Sequence, residues 1–161
     1  MRIRVVGVGS SHGDDAAGPL VARRLAGEAT LPPGVEALVC ERPLDLLELL
    51  DGIDGAVLVD ATRSGRRPGT VHEPAAEELV EARPVSTHHL GVREILAMAK
   101  VLERAPDRLA LIGIEAACVE GSAVSAPVQA ALADAAERAR ERCQAWLAGA
   151  APRRRGEREH A

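Results

Sequence analysis

Ile3-Arg-Val-Val-Gly-Val-Gly-Ser-Ser-His-Gly-Asp-Asp-Ala-Ala-Gly18 is an apolar run, then glycines, then two adjacent carboxylates, then a glycine ahead of Pro19. Val5, Val6 and Val8 favour a pleated, buried strand. Gly7 and Gly9 allow a sharp turn or a close approach of the backbone to something else. Asp14 and Asp15 place negative charge at the top of that strand. Pro19 suits the first turn of a helix, where its missing N–H costs nothing. The stretch therefore predicts strand, turn, helix, over Arg2–Val8 and Ala17–Ala26.

The same alternation continues. Val35–Cys40 reads as a second strand after the Thr30–Gly34 break, and Pro43–Leu50 as a short helix with Leu44, Leu47 and Leu50 at helical spacing. Ala56–Val59 is a continuous apolar run ending in Asp60, the pattern of a strand buried on both faces. Thr62–Gly69 is a polar turn and Thr70–His72 a short edge strand. Ala75–Glu81 reads as a short helix and Pro84–His89 as a loop. Leu90–Arg104 is a helix with the stripe Val92, Ile95, Leu96, Ala99 and Leu102. Leu109–Ile114 is the last strand and Ala117–Ser125 a loop. Ser125 is placed to cap a final helix that ends at Gly149, with the stripe Val128, Leu132, Ala135, Ala139, Cys143 and Trp146. Strands alternating with helices imply a three-layer α/β fold: a twisted, mostly parallel sheet of about five strands between helices. Ligands in such sheets bind at the carboxyl ends of the strands. Gly9–Asp15 and Asp60 are both expected just past such ends.

With 161 residues the chain is expected to form one domain over 1–150, followed by a disordered basic tail over 151–161 that carries three consecutive arginines. The core must be aliphatic, because Phe and Tyr are absent and Trp146 is the only aromatic. That speaks against stacking of nucleic-acid bases, and a net charge of −4 gives no electrostatic footprint for nucleic acid. The three cysteines are widely spaced and form no Cys-x-x-Cys pair, so neither a disulfide framework nor a zinc knuckle is indicated. There is no signal-peptide pattern and no apolar run near the ~20 residues of a membrane helix. A cytoplasmic protein is expected, and a monomer, since no apolar stripe is left over.

Three chemistries compete for the opening loop. Gly7, Gly9 and Gly13 are near a dinucleotide fingerprint, but the spacing is one residue too long, and Asp14 and Asp15 would repel a phosphate. A serine mechanism lacks a Gly-x-Ser-x-Gly elbow, and the cysteines sit in apolar settings that keep thiols protonated. Metal contact suits the residues better. Asp14 reads as a helix cap as readily as a ligand. Asp15 is different once Asp60 is considered. A carboxylate after Val57-Leu-Val59 is partly desolvated and needs a partner, or its pKa rises. A cation shared by Asp15 and Asp60 would meet that need, and His12, His88 or His89 would complete an open site for a divalent transition metal. The spacing does not select the metal.

Four blocks in order resemble the hydrogenase maturation endopeptidases: Gly7-Val-Gly9 with Gly13-Asp-Asp-Ala-Ala-Gly18; Val57-Leu-Val-Asp-Ala61 followed by Gly65 and Pro68-Gly-Thr70; Ser86-Thr-His-His-Leu-Gly91; and Leu111-Ile-Gly-Ile114 with Val124-Ser-Ala-Pro-Val128. The resemblance covers about Ile3 to Leu132. It implies a phosphorylase/hydrolase-like parallel sheet and a cytoplasmic endopeptidase. Such an enzyme removes a C-terminal extension from the precursor of a nickel–iron hydrogenase large subunit, once nickel has been loaded. It also implies that Asp15, Asp60 and His88 contact the metal, with nickel supplied by the substrate or another divalent transition metal in its place. His88 is preferred over His89 because the family's histidine is followed by a variable residue, an apolar one and often Gly, here His89, Leu90 and Gly91. Ser10 stands where the family usually has Asn, and Asp15 where it usually has Glu. Cys40-Glu-Arg-Pro43 stands where the family often has Asp-x-Gly-Thr. These departures keep a non-catalytic nickel-checking protein open as an alternative, and more remotely a nucleotide-binding enzyme.

Overall fold

The computed structural model describes residues 1–29, 31–75, 91–117 and 121–149. Five strands form one sheet: β1 (Ile3–Val8), β2 (Val35–Cys40), β3 (Gly55–Thr62), β4 (Val71–His72) and β5 (Arg108–Glu115), in the order β2-β1-β3-β5-β4. All neighbours are parallel except the edge strand β4, which runs antiparallel to β5. Among the described residues four α-helices flank them: α1 (Ala17–Gly27), α2 (Leu46–Leu50), α3 (Val92–Val101) and α4 (Ala126–Ala148). The expected mostly parallel α/β sheet is thus the observed one.

Side-chain alternation divides the core into two layers. Val5, Val57, Val59, Ile112 and Ile114 pack against Val21 and Leu25 of α1 and Val128, Leu132, Ala135, Ala139 and Cys143 of α4. Val6, Val8, Leu58 and Leu111 pack on the other face against Leu46 and Leu50 of α2 and Ile95 and Ala99 of α3. These side chains are aliphatic or sulfur-bearing, as the composition requires. Among the described residues no helix is long and apolar enough to cross a membrane.

Glycines set how closely the first helix docks. A Cβ on Gly7 would lie 2.1 Å from the Gly18 carbonyl, and one on Gly18 would lie 2.3 Å from the Val59 carbonyl. The close approach expected of the opening glycines is therefore made by the chain's own helix. Gly9 has φ of 145°, and a Cβ there would meet the Asp15 carbonyl at 2.0 Å. These contacts draw residues 13–18 down onto the ends of β1 and β3.

Several elements depart from expectation. β3 continues to Thr62, so Asp60 lies within the strand instead of past its end. It sits one residue beyond the pairing with β1, which stops at Gly7↔Val59, while β5 pairs on to Thr62↔Glu115. The 43–50 segment opens as a 3₁₀ turn (Pro43–Asp45) before α2. That shift of phase buries Leu46 and Leu50, leaving Leu44 54% exposed. The third helix spans Val92–Val101 and not Leu90–Arg104. Glu103 turns it off with a left-handed φ of 57°, while the N–H groups of Glu103 and Arg104 donate to the carbonyls of Lys100 and Ala99. This is a Schellman ending with glutamate in the usual glycine place. Leu102 therefore leaves the buried stripe, and Met98, Val101 and Leu102 are exposed, apolar surface that the sequence pattern had not predicted. Most of the expected helix at 75–81, all of the 84–89 loop, Cys118 and the 151–161 tail lie outside the described residues.

Candidate active site

Asp14 and Asp15 are sequence neighbours on the 3₁₀ turn Gly13–Ala16, and their surroundings separate their roles. Asp14 is fully buried. Its carboxylate accepts the N–H groups of Ala117 (2.8 Å) and Ser125 (2.7 Å) and the Ser125 hydroxyl (2.8 Å). It joins the turn to the end of β5 and the start of α4. Ser125 does occupy the N-cap of α4, but its hydroxyl is given to Asp14 and makes no capping bond.

Asp15 is half-buried and accepts one N–H from Ser10 at 2.8 Å. Ser10 holds its own turn by accepting the His12 N–H at 3.2 Å, a weaker version of what an asparagine side chain does in turns. His12 itself is exposed.

Asp60 follows the buried residues Val57, Leu58 and Val59. By alternation it lies on the same face of the sheet as Leu58, toward α2 and α3. Burial pushes its carboxyl up to about 7; the negative charge of Asp15 adds to this, and a hydrogen bond from the Ala61 N–H opposes it. The structure thus brings Asp15 and Asp60 within electrostatic reach of each other. Cys40 ends β2 close by. Burial raises its thiol to about 11, with the charges of Asp45 and Asp60 contributing. A thiol held there is no nucleophile at neutral pH. Cys143, raised to about 11 by burial within α4, is equally inert.

Asp15, Asp60 and Cys40 lie at the carboxyl ends of β1, β3 and β2. β2 is reached from β1 through α1 on one face, and β3 from β2 through α2 on the other. The chain therefore reverses its winding at β1 and β3, and this is where open α/β sheets form their crevice. His88, the third expected residue, lies outside the described residues, as does His89. Among the described residues no three His, Cys, Asp or Glu side chains gather closely enough to hold a metal ion.

A second cluster was not found in the sequence. Glu115, at the end of β5, is 3% exposed. It accepts the Ser64 N–H (2.7 Å), the Gly65 N–H (3.0 Å), the Ser64 hydroxyl (2.8 Å) and the Thr62 hydroxyl (2.9 Å). Burial raises its pKa, but the hydroxyls and N–H groups of Ser64, Thr62 and Gly65 outweigh it and leave the carboxyl below its ordinary value. With its proton directed at Glu115, the Thr62 hydroxyl accepts from His72 Nε2 at 2.8 Å. The His72 ring occupies the space that a side chain at Gly113 would fill. The signal was present: Glu115 closes an apolar strand just as Asp60 follows one.

The comparisons with known proteins bear on the fold and the family. A family model described as HycI, hydrogenase maturation protease, matches residues 41–142. Hydrogenase expression/formation protein HupD of Rhizobium leguminosarum bv. viciae is 30% identical over 108 residues, 64% of this chain and 54% of that protein. The chain thus spans about half the length of the curated relatives it matches. Among solved structures, hydrogenase maturating endopeptidase HybD from E. coli superposes with a TM-score of 0.77 at 26% identity, covering 92% of this chain and 94% of that one. The [NiFe] hydrogenase maturation protease HycI from Thermococcus kodakarensis KOD1 gives 0.72 at 31% identity, covering 87% and 90%. The chain belongs to the hydrogenase maturation protease family.

Proposed function

We propose that this chain is a processing endopeptidase that removes a C-terminal extension from the nickel-loaded precursor of a nickel–iron hydrogenase large subunit. The observation that carries this reading is the Asp15–Asp60 pair. Two carboxylates lie within electrostatic reach of each other at the sheet crevice, and burial raises the pKa of one of them, Asp60, to about 7. A cation between them would relieve both burial and mutual repulsion. Nickel held by the precursor is such a cation, and His88 supplies the imidazole. In this reading the metal arrives as part of the substrate, and the two carboxylates recognise it. A divalent cation at that point supplies polarisation of the scissile carbonyl or activation of a water. Asp15 and Asp60 orient the precursor by its metal, and the Ser10 N–H fixes the Asp15 carboxylate for that contact.

A second reading, a nickel-checking protein that binds the precursor without cutting it, is favoured by the shorter Asp15 and by Cys40-Glu-Arg-Pro43 in place of Asp-x-Gly-Thr. Co-expression with the precursor, read by intact mass, separates the two. The protease reading expects loss of the extension with wild type and its retention with Asp15→Ala, Asp60→Ala or His88→Ala. Processing at the wild-type level by all three variants would remove the site assignment. A lasting wild-type complex with uncut precursor would favour the checking protein.

A further inference from the structure

The loop after β3 reads Arg63-Ser-Gly-Arg-Arg67, and all five residues are exposed. It begins three residues after Asp60, past the carboxyl end of β3, and its backbone is held to the end of β5. Its arginines differ from most others in the molecule. Arg4, Arg23, Arg24, Arg42, Arg138, Arg140 and Arg142 each lie within reach of a carboxylate. Among the described residues Arg63, Arg66 and Arg67 form no ion pair. Arg66 donates to the Ser64 hydroxyl at 2.7 Å. The chain carries 24 acidic and 20 basic residues, so carboxylates are not scarce. Three guanidinium groups on one short loop are nonetheless without one among the described residues.

The loop is also built, not merely solvated. Glu115 accepts the N–H groups of Ser64 and Gly65 from beneath. The Thr70 N–H and hydroxyl close on the Arg67 carbonyl at 3.1 and 2.6 Å. Gly69 N–H donates to the Glu115 carbonyl at 2.8 Å, and Glu115 N–H donates to the Thr70 carbonyl at 2.9 Å. A buried anion thus fixes the backbone from which three cations project. A platform already ordered loses little backbone entropy on binding. Guanidinium groups suit carboxylates because their paired N–H donors match two oxygens.

We propose that Arg63, Arg66 and Arg67 form a docking platform for an acidic, Asp- or Glu-bearing surface of the precursor, beside the point where its metal meets Asp60. This rests on the protease reading above and adds to it the charge of the surface the precursor presents. Rim charges act chiefly on the association rate and are screened by salt.

The test is biolayer interferometry with the full-length nickel-loaded large-subunit precursor from the same organism as probe, in salt of ~0.05 M and ~0.3 M. The variants are the triple Arg63→Gln/Arg66→Gln/Arg67→Gln and the double Arg63→Gln/Arg67→Gln, which keeps the Arg66–Ser64 bond. The control, Arg23→Gln/Arg24→Gln/Arg138→Gln, removes equal charge elsewhere. At low salt the triple is expected to raise Kd ~10-fold through a slower association rate, and the double by less. Both differences should shrink at high salt, and the control should stay near wild type. Loop variants that bind like the control would overturn the proposal. So would a wild-type protein that does not bind the precursor. Wild-type binding that depends on the three arginines, with no cutting, would keep the platform and overturn the protease reading instead.

Discussion

Asp14 and Asp15 are adjacent, yet the fold treats them oppositely, and Glu115 and Asp60 repeat the contrast on neighbouring strands. Asp14 and Glu115 are buried carboxylates saturated with N–H and hydroxyl donors. Asp15 receives one N–H from Ser10, and Asp60, helped only by the Ala61 N–H, faces the charge of Asp15. Desolvation is common to these sites; the supply of donors is not. Where donors are complete, ionisation is favoured despite burial, and the residue ties elements together. Where they are not, as at Asp60, ionisation is disfavoured. The contrast separates a carboxylate that ties elements together from one left short of donors, without reference to any relative.

The largest expected effect tests the structural half. Asp14→Ala empties a fully buried site and takes the acceptor from two N–H groups and a hydroxyl, and should cost ~3 kcal/mol of unfolding free energy, measured by denaturant titration. Asp15→Ala, which orphans one N–H, should cost ~1 kcal/mol or less while abolishing processing. Equal stability losses at the two positions would break the distinction.

Asp60 gives a smaller effect with a definite sign. Its carboxyl binds a proton more tightly folded than unfolded, because its folded value is about 7. Wild-type stability should therefore fall as pH rises from ~4 toward 7, the window between the unfolded and folded values. Asp60→Asn cannot ionise. It should exceed wild type by ~1–3 kcal/mol at pH 8 and lose that margin below pH ~4. Asp15→Asn should recover part of the same gain. A pH-independent difference between Asp60→Asn and wild type would show that Asp60 is not desolvated as described.

The smallest effect sharpens the same lesson on the backbone. Glu103 ends α3 with a left-handed φ of 57°. Glu103→Gly should raise stability by ~1 kcal/mol, read as a higher Tm, since glycine holds that conformation without the steric cost.

The fold was largely legible because its signals are local. Strands such as Val5–Val8 and Ala56–Val59 are apolar runs too short to be helices, and α4 carries its stripe over many turns. Asp60 was legible for the same reason, as a charge following a buried run. What escaped depended on contacts remote in sequence. Nothing local says that Asp14 reaches Ser125, or that Glu115 and His72 close on the turn after Thr62. The phase of residues 43–50 was misread because a 3₁₀ turn displaces the leucines relative to α-helical spacing. The end of α3 was overextended because glutamate, not glycine, occupies its left-handed position.

The most direct measurement is the intact mass of purified nickel-loaded precursor incubated with wild type or with Asp60→Asn at pH 8. Wild type should remove the extension. Asp60→Asn should be the more stable protein and yet process at least ~100-fold more slowly, as when a group that positions charge at a reacting centre is removed. Removal of the extension by Asp60→Asn at the wild-type rate would contradict the assignment of Asp60.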